Sequence, residues 1–177
     1  MSTTEKQNLN GLDIGEFEEA LKVIASQEGA HRAPKKSRVQ WKGGFKFNAT
    51  VRNHTFLVDE PSHLTGEDEA PNSMEYVLGA YGACLATGFV LNASRQGIRI
   101  RNMEVVLDAE QDNVFTFLGL GGEGHSGFSG ITAKLYVQAD ADEETLRQVW
   151  DQTVKTSPVG NSLVHNVVID PQLDVIP

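Results

Sequence analysis

The sequence predicts a single α+β domain, in which strands, one long apolar helix, further strands and short helices follow in that order. Two observations support this class. The chain has 177 residues, which is about the length of one domain. Its helical and strand-like segments do not alternate, and this argues against a doubly wound parallel sheet. Apolar residues make up 40% and charged residues 22% of the chain, which is ordinary for a globular protein.

Residues 1–37 are predicted to form an extension in front of the main domain, 38–177. Residues 1–12 have the polar composition of a disordered tail. A helix is predicted over residues 16–28, because its apolar residues recur at helical spacing and Gly29 follows as a stop. We expect this amphipathic helix to pack onto the main body. Because the polar start has no apolar signal segment, we also expect a cytoplasmic protein.

Three strands are expected between residues 38 and 59. They are Arg38–Lys42, Phe45–Val51 and His54–Asp59, with turns at Gly43-Gly44 and Arg52-Asn53. Residues 60–72 are rich in acidic residues, glycine and proline, which indicates a loop.

The helix after this loop has a clear start and a clear stop. Asn72 and Glu75 have the spacing of a capping box, and Gly97 fits the position just past the end. Between Tyr76 and Ser94 the helix has no charged residue. A stretch of this length could span a membrane. Its three glycines and the acidic remainder of the chain favour a buried core helix instead.

The second half of the chain is predicted to contain strands first and helices afterwards. A strand over 98–110, an apolar run at 114–118 and a glycine-rich loop over 119–130 lead into an alternating strand over 131–139. A helix is expected from the motif Asp140-x-x-Glu143, and a short helix from Ser157-Pro158 to about His165, since proline is favoured at the first helical position. A final strand is predicted over Val167–Ile176.

Charge and motifs exclude several classes of function. A net charge of −9 argues against nucleic-acid or anionic-membrane partners, which need a basic surface. The segment Gly119–Gly124 matches G-x-G-x-x-G, but a strand rather than a helix follows, so we expect no dinucleotide site. The five histidines do not have the spacing of metal ligands. We therefore expect no metal and no cofactor.

Cys84 is the only cysteine and the one residue that suggests a specific chemistry. Ala80 and Gly88 lie one helical turn on either side, leaving space beside the sulfur for helix packing or for substrate access. A buried cysteine taken alone is more often an inert small apolar residue. Reactivity would require a nearby cation or helix terminus.

Two separated motifs carry a resemblance to a known family. The first is the stretch Gly66-Glu-Asp-Glu-Ala-Pro-Asn-Ser-Met-Glu-Tyr-Val-Leu-Gly-Ala-Tyr-Gly-Ala-Cys84, and the second is Ser157-Pro158-Val159. Both resemble motifs of the OsmC/Ohr family, the osmotically inducible and organic hydroperoxide resistance proteins, whose peroxidase members have Cys-Pro-Val at the second place. The resemblance extends from about Arg38 to Ile176. It implies an OsmC-like α+β fold with a long buried central helix, antiparallel sheet and an intertwined homodimer.

The resemblance also implies a partly altered site. Cys84 matches the attacking, catalytic cysteine, but Ser157 replaces the second cysteine and excludes a disulfide cycle within one chain. Met74 occupies the position of the family's glutamate, and Glu75 is better explained as the partner of Asn72 in the capping box. The family's arginine has no clear counterpart: His63 lies near its position, and Arg38 and Arg52 are the other candidates.

Three functions remain open. The first is a one-cysteine peroxidase that reduces organic hydroperoxides through Cys84 with an external thiol reductant. The second is a non-catalytic homodimer that binds a small apolar or thiol-containing ligand in the pocket around Cys84. The third is a structural dimer whose N-terminal helix recruits a partner.

Overall fold

The structure, a computed structural model, describes residues 8–176. Five α-helices and seven strands lie in this part of the chain, with a single 3₁₀ turn at Ser62–Leu64. In chain order the elements are β1 Asn8–Leu9, β2 Leu12–Asp13, α1 Ile14–Ala25, β3 Arg38–Gly43, β4 Lys46–Val51, β5 His54–Val58, α2 Ser73–Arg95, β6 Ile100–Gln111, α3 Val114–Phe117, β7 Phe128–Ala139, α4 Glu143–Thr156 and α5 Pro158–Val164.

The strands form three antiparallel sheets, with the orders β1-β2, β3-β4-β5 and β6-β7. The core lies where α2 and α4 pack over the β6-β7 hairpin. Its buried centre consists of Phe89, Ala93, Ile98 and Val149. The apolar residues of β7 alternate as predicted and face this core, whereas the residues between them are exposed. The predicted α+β class is confirmed.

Helix α2 begins and ends as the sequence predicts. The Asn72 side chain accepts from the backbone N–H of Glu75 at 3.0 Å, and the Glu75 carboxylate accepts from the backbone N–H of Asn72 at 2.8 Å. Gly97 has φ +73°, a left-handed conformation that favours glycine after a helix end.

The burial of α2 differs from the prediction. One face packs against α4 and β6, as the core helix of a soluble protein does, and only five of its residues are buried: Gly82, Leu85, Phe89, Ala93 and Ser94. The rest is partly or fully open in the single chain. By length and composition alone α2 could cross a membrane, and it is the only such helix among residues 8–176.

The three strands predicted before residue 60 are confirmed, with the first turn moved by one residue to Gly44-Phe45. Their sheet contacts α2 near its start, where the rings of Phe56 and Tyr76 lie 4.9 Å apart. The Tyr76 hydroxyl also donates to the carbonyl of Leu57. The sheet nevertheless leaves large apolar side chains in solvent, and Trp41 is 67% exposed.

A buried carboxylate holds the loop between β5 and α2. Asp59 accepts from the backbone N–H of Glu60 at 2.8 Å and of Glu69 at 3.2 Å. Burial opposes ionisation of Asp59, but the backbone donors and the nearby Lys46 outweigh it and hold the pKa of this carboxyl below its ordinary value. Gly66 lies so close to the carbonyl of Glu60 that a Cβ there would overlap it.

Residues 8–13 form a small hairpin and are not part of a disordered tail. Residues 1–7 lie outside the described part of the chain, whereas β1 and β2 pair across an Asn10-Gly11 turn, so the prediction is wrong for residues 8–12. The Asn10 amide donates to Ser94 Oγ and to the carbonyl of Ile98, and its carbonyl oxygen accepts from the N–H of Ile100, all within 2.9 Å. One side chain therefore joins the N-terminus to the end of α2 and the start of β6.

Helix α1 is confirmed, but its predicted packing is only partly met. None of its residues is buried. Contact with α2 comes through its first two turns, where Phe17 and Glu18 meet Arg95. The later residues Val23 and Ile24 remain exposed.

Two further predictions require correction, and the apolar run at 114–118, for which no element is predicted, is found to be helical. The N-cap of α4 is Asp142, whose side chain accepts from the N–H of Thr145, whereas Asp140 pairs with Arg101. The apolar run at 114–118 forms one helical turn, α3. Residues 167–176 are not a strand: a strand exists only through pairing, and no described strand of the chain pairs with them.

Candidate functional site

Cys84 lies in a groove between α2 on one side and the end of α4 and start of α5 on the other. The groove encloses about 630 Å³. Its lining residues, nearly all small or uncharged, are Ala80, Ala83, Cys84, Thr87, Gly88, Leu91, Asn92, Arg95, Gln152, Thr153, Thr156, Ser157 and Pro158. A concavity of this size suits a small-molecule ligand.

The serine at the second motif position directly contacts the cysteine. Ser157 is the N-cap of α5, and its Oγ accepts from the N–H of Gly160 at 3.1 Å. Cys84 Sγ lies 3.2 Å from the same Oγ. A hydroxyl can donate to a thiolate or accept from a thiol, so this contact persists in both protonation states of the sulfur. Ser157 is 3% exposed and therefore fixed in place.

Two glycines allow this close approach. A Cβ at Gly160 would lie 3.0 Å from the Tyr81 ring and 3.2 Å from Ser157 Oγ. A Cβ at Gly88 would lie 3.0 Å from Thr153 Cγ2 on α4. The space beside Cys84 could serve helix packing or substrate access. The contact of Gly88 with α4 shows that this glycine serves helix packing, whereas Ala80 lines the open groove.

A polar contact joins the two walls of the groove. Asn92 Nδ2 on α2 donates to Thr153 Oγ1 on α4 at 3.1 Å. The same threonine hydroxyl donates its one hydrogen to the carbonyl of Val149. This contact fixes the width of the groove between its two ends.

Arg95 closes the end of the groove away from the sulfur. It follows Cys84 by eleven residues, which places it on the same helix face about 16 Å along the axis. Its Nε lies 2.7 Å from a carboxylate oxygen of Glu18 on α1, and its guanidinium lies 5.6 Å from the centre of the Phe17 ring. Among the described lining residues, Arg95 alone carries a formal charge.

The residues considered as replacements for the family's polar partners do not reach this groove. Glu75 acts in the capping box, as predicted. His63 is exposed on the 3₁₀ turn, Arg38 is exposed at the start of β3, and Arg52 is exposed in the β4-β5 turn with φ +57°. None of them lines the groove in the described part of the chain.

Sequence reasoning placed Cys84 and Ser157 but missed Arg95 and its partner Glu18. The available signal was helical periodicity, since Cys84, Leu91 and Arg95 share one helix face. The contact with Glu18 could not be found in this way, because residues 18 and 95 meet only through the fold.

A larger hollow, of about 770 Å³, lies beside the free edge of β7. It is bounded by β7 and by Leu146 and Trp150 of α4. It contains neither a cysteine nor a serine, and we place the candidate chemistry at Cys84.

Comparison with known proteins agrees with the fold. The OsmC family model, described as OsmC-like protein, matches residues 66–172. No curated protein matches the chain. Among solved structures, an OsmC-like protein from Mycoplasma pneumoniae is 16% identical with a TM-score of 0.63, and the match covers 74% of this chain and 87% of that one.

Two other similar structures are named for hydroperoxide resistance. The organic hydroperoxide resistance protein of Elizabethkingia anophelis is 18% identical, with 76% of this chain and 91% of that chain covered and a TM-score of 0.55. The organic hydroperoxide resistance protein OsmC of Legionella pneumophila, also called a predicted redox protein, is 15% identical, with 76% and 93% covered and a TM-score of 0.56. At these identities the structures support the fold alone. The match of the family model over more than half of the sequence shows that this chain belongs to the OsmC-like family.

Proposed function

We propose that this protein is a one-cysteine, thiol-dependent peroxidase that reduces organic hydroperoxides through Cys84. The observation that carries the proposal is the position of Cys84. Its sulfur faces a ligand-sized groove and lies 3.2 Å from the buried hydroxyl of Ser157. By the motif resemblance, Ser157 stands at the position of the family's second cysteine.

The reaction begins with attack by the Cys84 thiolate on one peroxide oxygen. The S–O bond forms as the O–O bond breaks, and the alkoxide leaves and takes a proton as alcohol. The sulfur is thereby oxidised to a sulfenic acid and the hydroperoxide is reduced to an alcohol. The Ser157 hydroxyl can donate to the sulfur before attack and to the sulfenic oxygen after it.

Two molecules of an external thiol complete the cycle. The first attacks the sulfenic acid, forms a mixed disulfide with Cys84 and releases water. The second attacks that disulfide, frees the Cys84 thiolate and leaves as the oxidised thiol pair. Ser157 cannot take either role, because a hydroxyl does not form a disulfide. A requirement for external thiol fits the reducing cytoplasm, where we place the protein.

Mass spectrometry of Cys84 after a limiting amount of cumene hydroperoxide tests the proposal. We expect a gain of one oxygen on Cys84 within seconds, reversed by added thiol, and loss of hydroperoxide consumption in Cys84→Ser. A Cys84→Ser variant that consumed hydroperoxide at the wild-type rate would overturn the proposal.

A non-catalytic ligand-binding role is the alternative, and one observation favours it. Within the described part of the chain, the Cys84 sulfur has a hydrogen-bond contact with a neutral hydroxyl. The one charged lining residue, Arg95, is eleven residues further along α2, a rise of about 16 Å along the helix axis. Such a site would bind an apolar ligand without oxidation of the sulfur. Slow and incomplete oxidation of Cys84 in the same experiment would support this alternative.

We propose further that the protein is a homodimer. The β3-β5 sheet exposes Trp41 and Val39, the apolar C-terminal segment 167–176 is almost fully exposed, and the edge of β7 is unpaired. A second copy would bury these surfaces, since monomers rarely expose apolar patches of such extent.

Sedimentation velocity tests the homodimer. The wild type should sediment as a dimer, and Trp41→Lys should shift it towards monomer. Lys42→Ala, next to Trp41 on the same strand, serves as the control and should leave the dimer intact. A wild type that sediments as a monomer at micromolar concentration would refute the assembly.

A further inference from the structure

Asn10-Gly11 is the only Asn-Gly dipeptide in the sequence, and it forms the two-residue turn of the N-terminal hairpin. Both residues have the left-handed backbone that such a turn needs, with φ +55° and +81°. Asparagine is one of the chemically labile residues of proteins. A following glycine increases this lability, because no side chain shields its backbone nitrogen from the asparagine side chain. Gly11 is exposed, so water reaches the turn.

Hydrolysis of the Asn10 amide needs only water besides the chain itself. The Gly11 nitrogen loses its proton to solvent and attacks Asn10 Cγ, and a succinimide ring forms as the side-chain nitrogen takes up a proton and leaves as ammonia. Water then opens the ring. Attack at Cγ breaks the new Cγ–N bond and gives aspartate, whereas attack at the backbone carbonyl carbon breaks the original peptide bond and gives isoaspartate. No atom is oxidised or reduced in either step.

The fold holds the Asn10 amide away from this attack. Its Nδ2 donates to the carbonyl of Ile98 at 2.8 Å and to Ser94 Oγ at 2.9 Å, and its Oδ1 accepts from the N–H of Ile100 at 2.8 Å. The amide is thus directed at the backbone of a different segment and not at Gly11. Because Cγ must turn towards the Gly11 nitrogen, the rate of attack depends on how often these three bonds are broken together.

Neither product restores these contacts. Aspartate has no N–H to donate, so the bond to Ile98 is lost and a negative charge faces the carbonyl oxygen of that residue. Ser94 can keep its contact only by donating its own hydrogen. Isoaspartate also lengthens the backbone of a turn whose geometry fits two ordinary residues. Both products therefore weaken the link from the hairpin to α2 and β6.

We infer that Asn10-Gly11 is a deamidation site, and that conversion of Asn10 to aspartate or isoaspartate is a one-way step that detaches the N-terminal hairpin from α2 and β6. The inference is independent of the proposed function, because it involves neither the Cys84 sulfur nor a second copy of the chain. The N-terminal extension then carries a modification that, once made, spontaneous chemistry does not reverse.

Detachment of the hairpin should also loosen helix α1, which follows β2 directly. Helix α1 would then be held against α2 by the contacts of Phe17 and Glu18 with Arg95. The two partners of this ion pair are 38% and 42% exposed, and ion pairs at such exposure contribute little net stability. A protease that cuts after Phe17 should therefore distinguish the attached from the detached form.

Peptide mapping by mass spectrometry measures the conversion, since it replaces an NH group by oxygen. The protein is incubated in mildly alkaline buffer, either folded or unfolded in guanidinium chloride. We expect the folded protein to convert between about tenfold and a thousandfold more slowly than the unfolded chain, which is the protection that three hydrogen bonds provide. Asn53 is the matched control: it is exposed in the two-residue β4-β5 turn but precedes His54, and it should keep its amide.

Two variants test the contacts of Asn10. Ser94→Ala removes one of the three bonds and should speed conversion of the folded protein about fivefold, while the rate in the unfolded chain stays unchanged. Asn10→Asp carries one product from the start, and chymotrypsin should cut it after Phe17 about fivefold faster than the wild type. Asn53→Asp adds the same charge at the control turn and should be cut as the wild type is.

Three results would overturn the inference. In the unfolded chain, conversion at Asn10 no faster than at Asn53 would remove the site. Folded protein that converted as fast as the unfolded chain, or more slowly than the expected range, would show that the three bonds do not set the rate. Cleavage of Asn10→Asp at the wild-type rate would refute detachment. None of these measurements depends on whether Cys84 reduces hydroperoxides.

Discussion

Ser157→Cys should restore the disulfide that this chain lacks. In the structure Cys84 Sγ and Ser157 Oγ are 3.2 Å apart, and the Ser157 side chain is fixed as the N-cap of a helix. A sulfur on the same carbon needs only a small adjustment to reach bonding distance, about 2.05 Å. The new thiol would thus attack the sulfenic acid on Cys84 and release water.

The expected gain in stability follows from the length of the closed loop. The two positions are 73 residues apart in sequence. The chain-entropy relation then gives roughly 4.4 kcal/mol at 25 °C for the disulfide relative to the dithiol, as an upper value. For a chain of this length a change of that size raises Tm by roughly 10 °C.

Thermal unfolding of Ser157→Cys with and without dithiothreitol measures this difference, and peptide mapping locates the bond. Ser162→Cys, on the exposed side of α5, is the matched control and should remain a dithiol within the chain. If Ser157→Cys formed no internal disulfide after one equivalent of hydroperoxide, Ser157 would not occupy the resolving position and the site described above would be wrong.

Three further changes test the framework of the fold. Asn72→Ala removes the capping box and should lower the free energy of unfolding by about 1 kcal/mol in urea titrations, whereas an unchanged midpoint would show that the cap contributes nothing. Gly66→Ala places a Cβ against the Glu60 carbonyl and should cost more than about 2 kcal/mol by the same titration; a wild-type midpoint would contradict that close approach. Asp59 has a lowered pKa, so its stabilising effect is complete above the ordinary aspartate value and is lost as pH falls through the lower folded value. The stability difference between wild type and Asp59→Asn should therefore shrink below about pH 4, and a difference that stayed constant with pH would refute this account.

Local signals predicted the parts of the fold that depend on neighbouring residues. The capping box at Asn72, the proline after Ser157 and the alternation along β7 each act within a few residues, and each is confirmed. The division of the chain at residue 37 stays a prediction.

The errors concern features that depend on distant parts of the chain. Segment 167–176 has the composition of a strand, but pairing requires a partner strand, and none of the strands described between residues 8 and 176 pairs with it. Asp140 fits the spacing of a cap as well as Asp142 does, and a distant arginine, Arg101, holds it as an ion-pair partner instead.

The same distinction applies to the site. Cys84 and Ser157 could be placed because motifs mark their positions, yet their contact was visible only in the fold. Arg95 has no motif, and its link to Glu18 joins residues 77 positions apart.

The Asn10 side chain joins three separate segments, and this has a consequence for local opening. Because one amide is bonded to the end of α2 and to the start of β6, these ends should not fray independently. Amide hydrogen exchange at Ile98 and Ile100 should therefore report a single opening event, with one free energy, that also releases the N-terminal hairpin. The beginning of the chain would then determine how often the far end of the Cys84 groove opens to solvent.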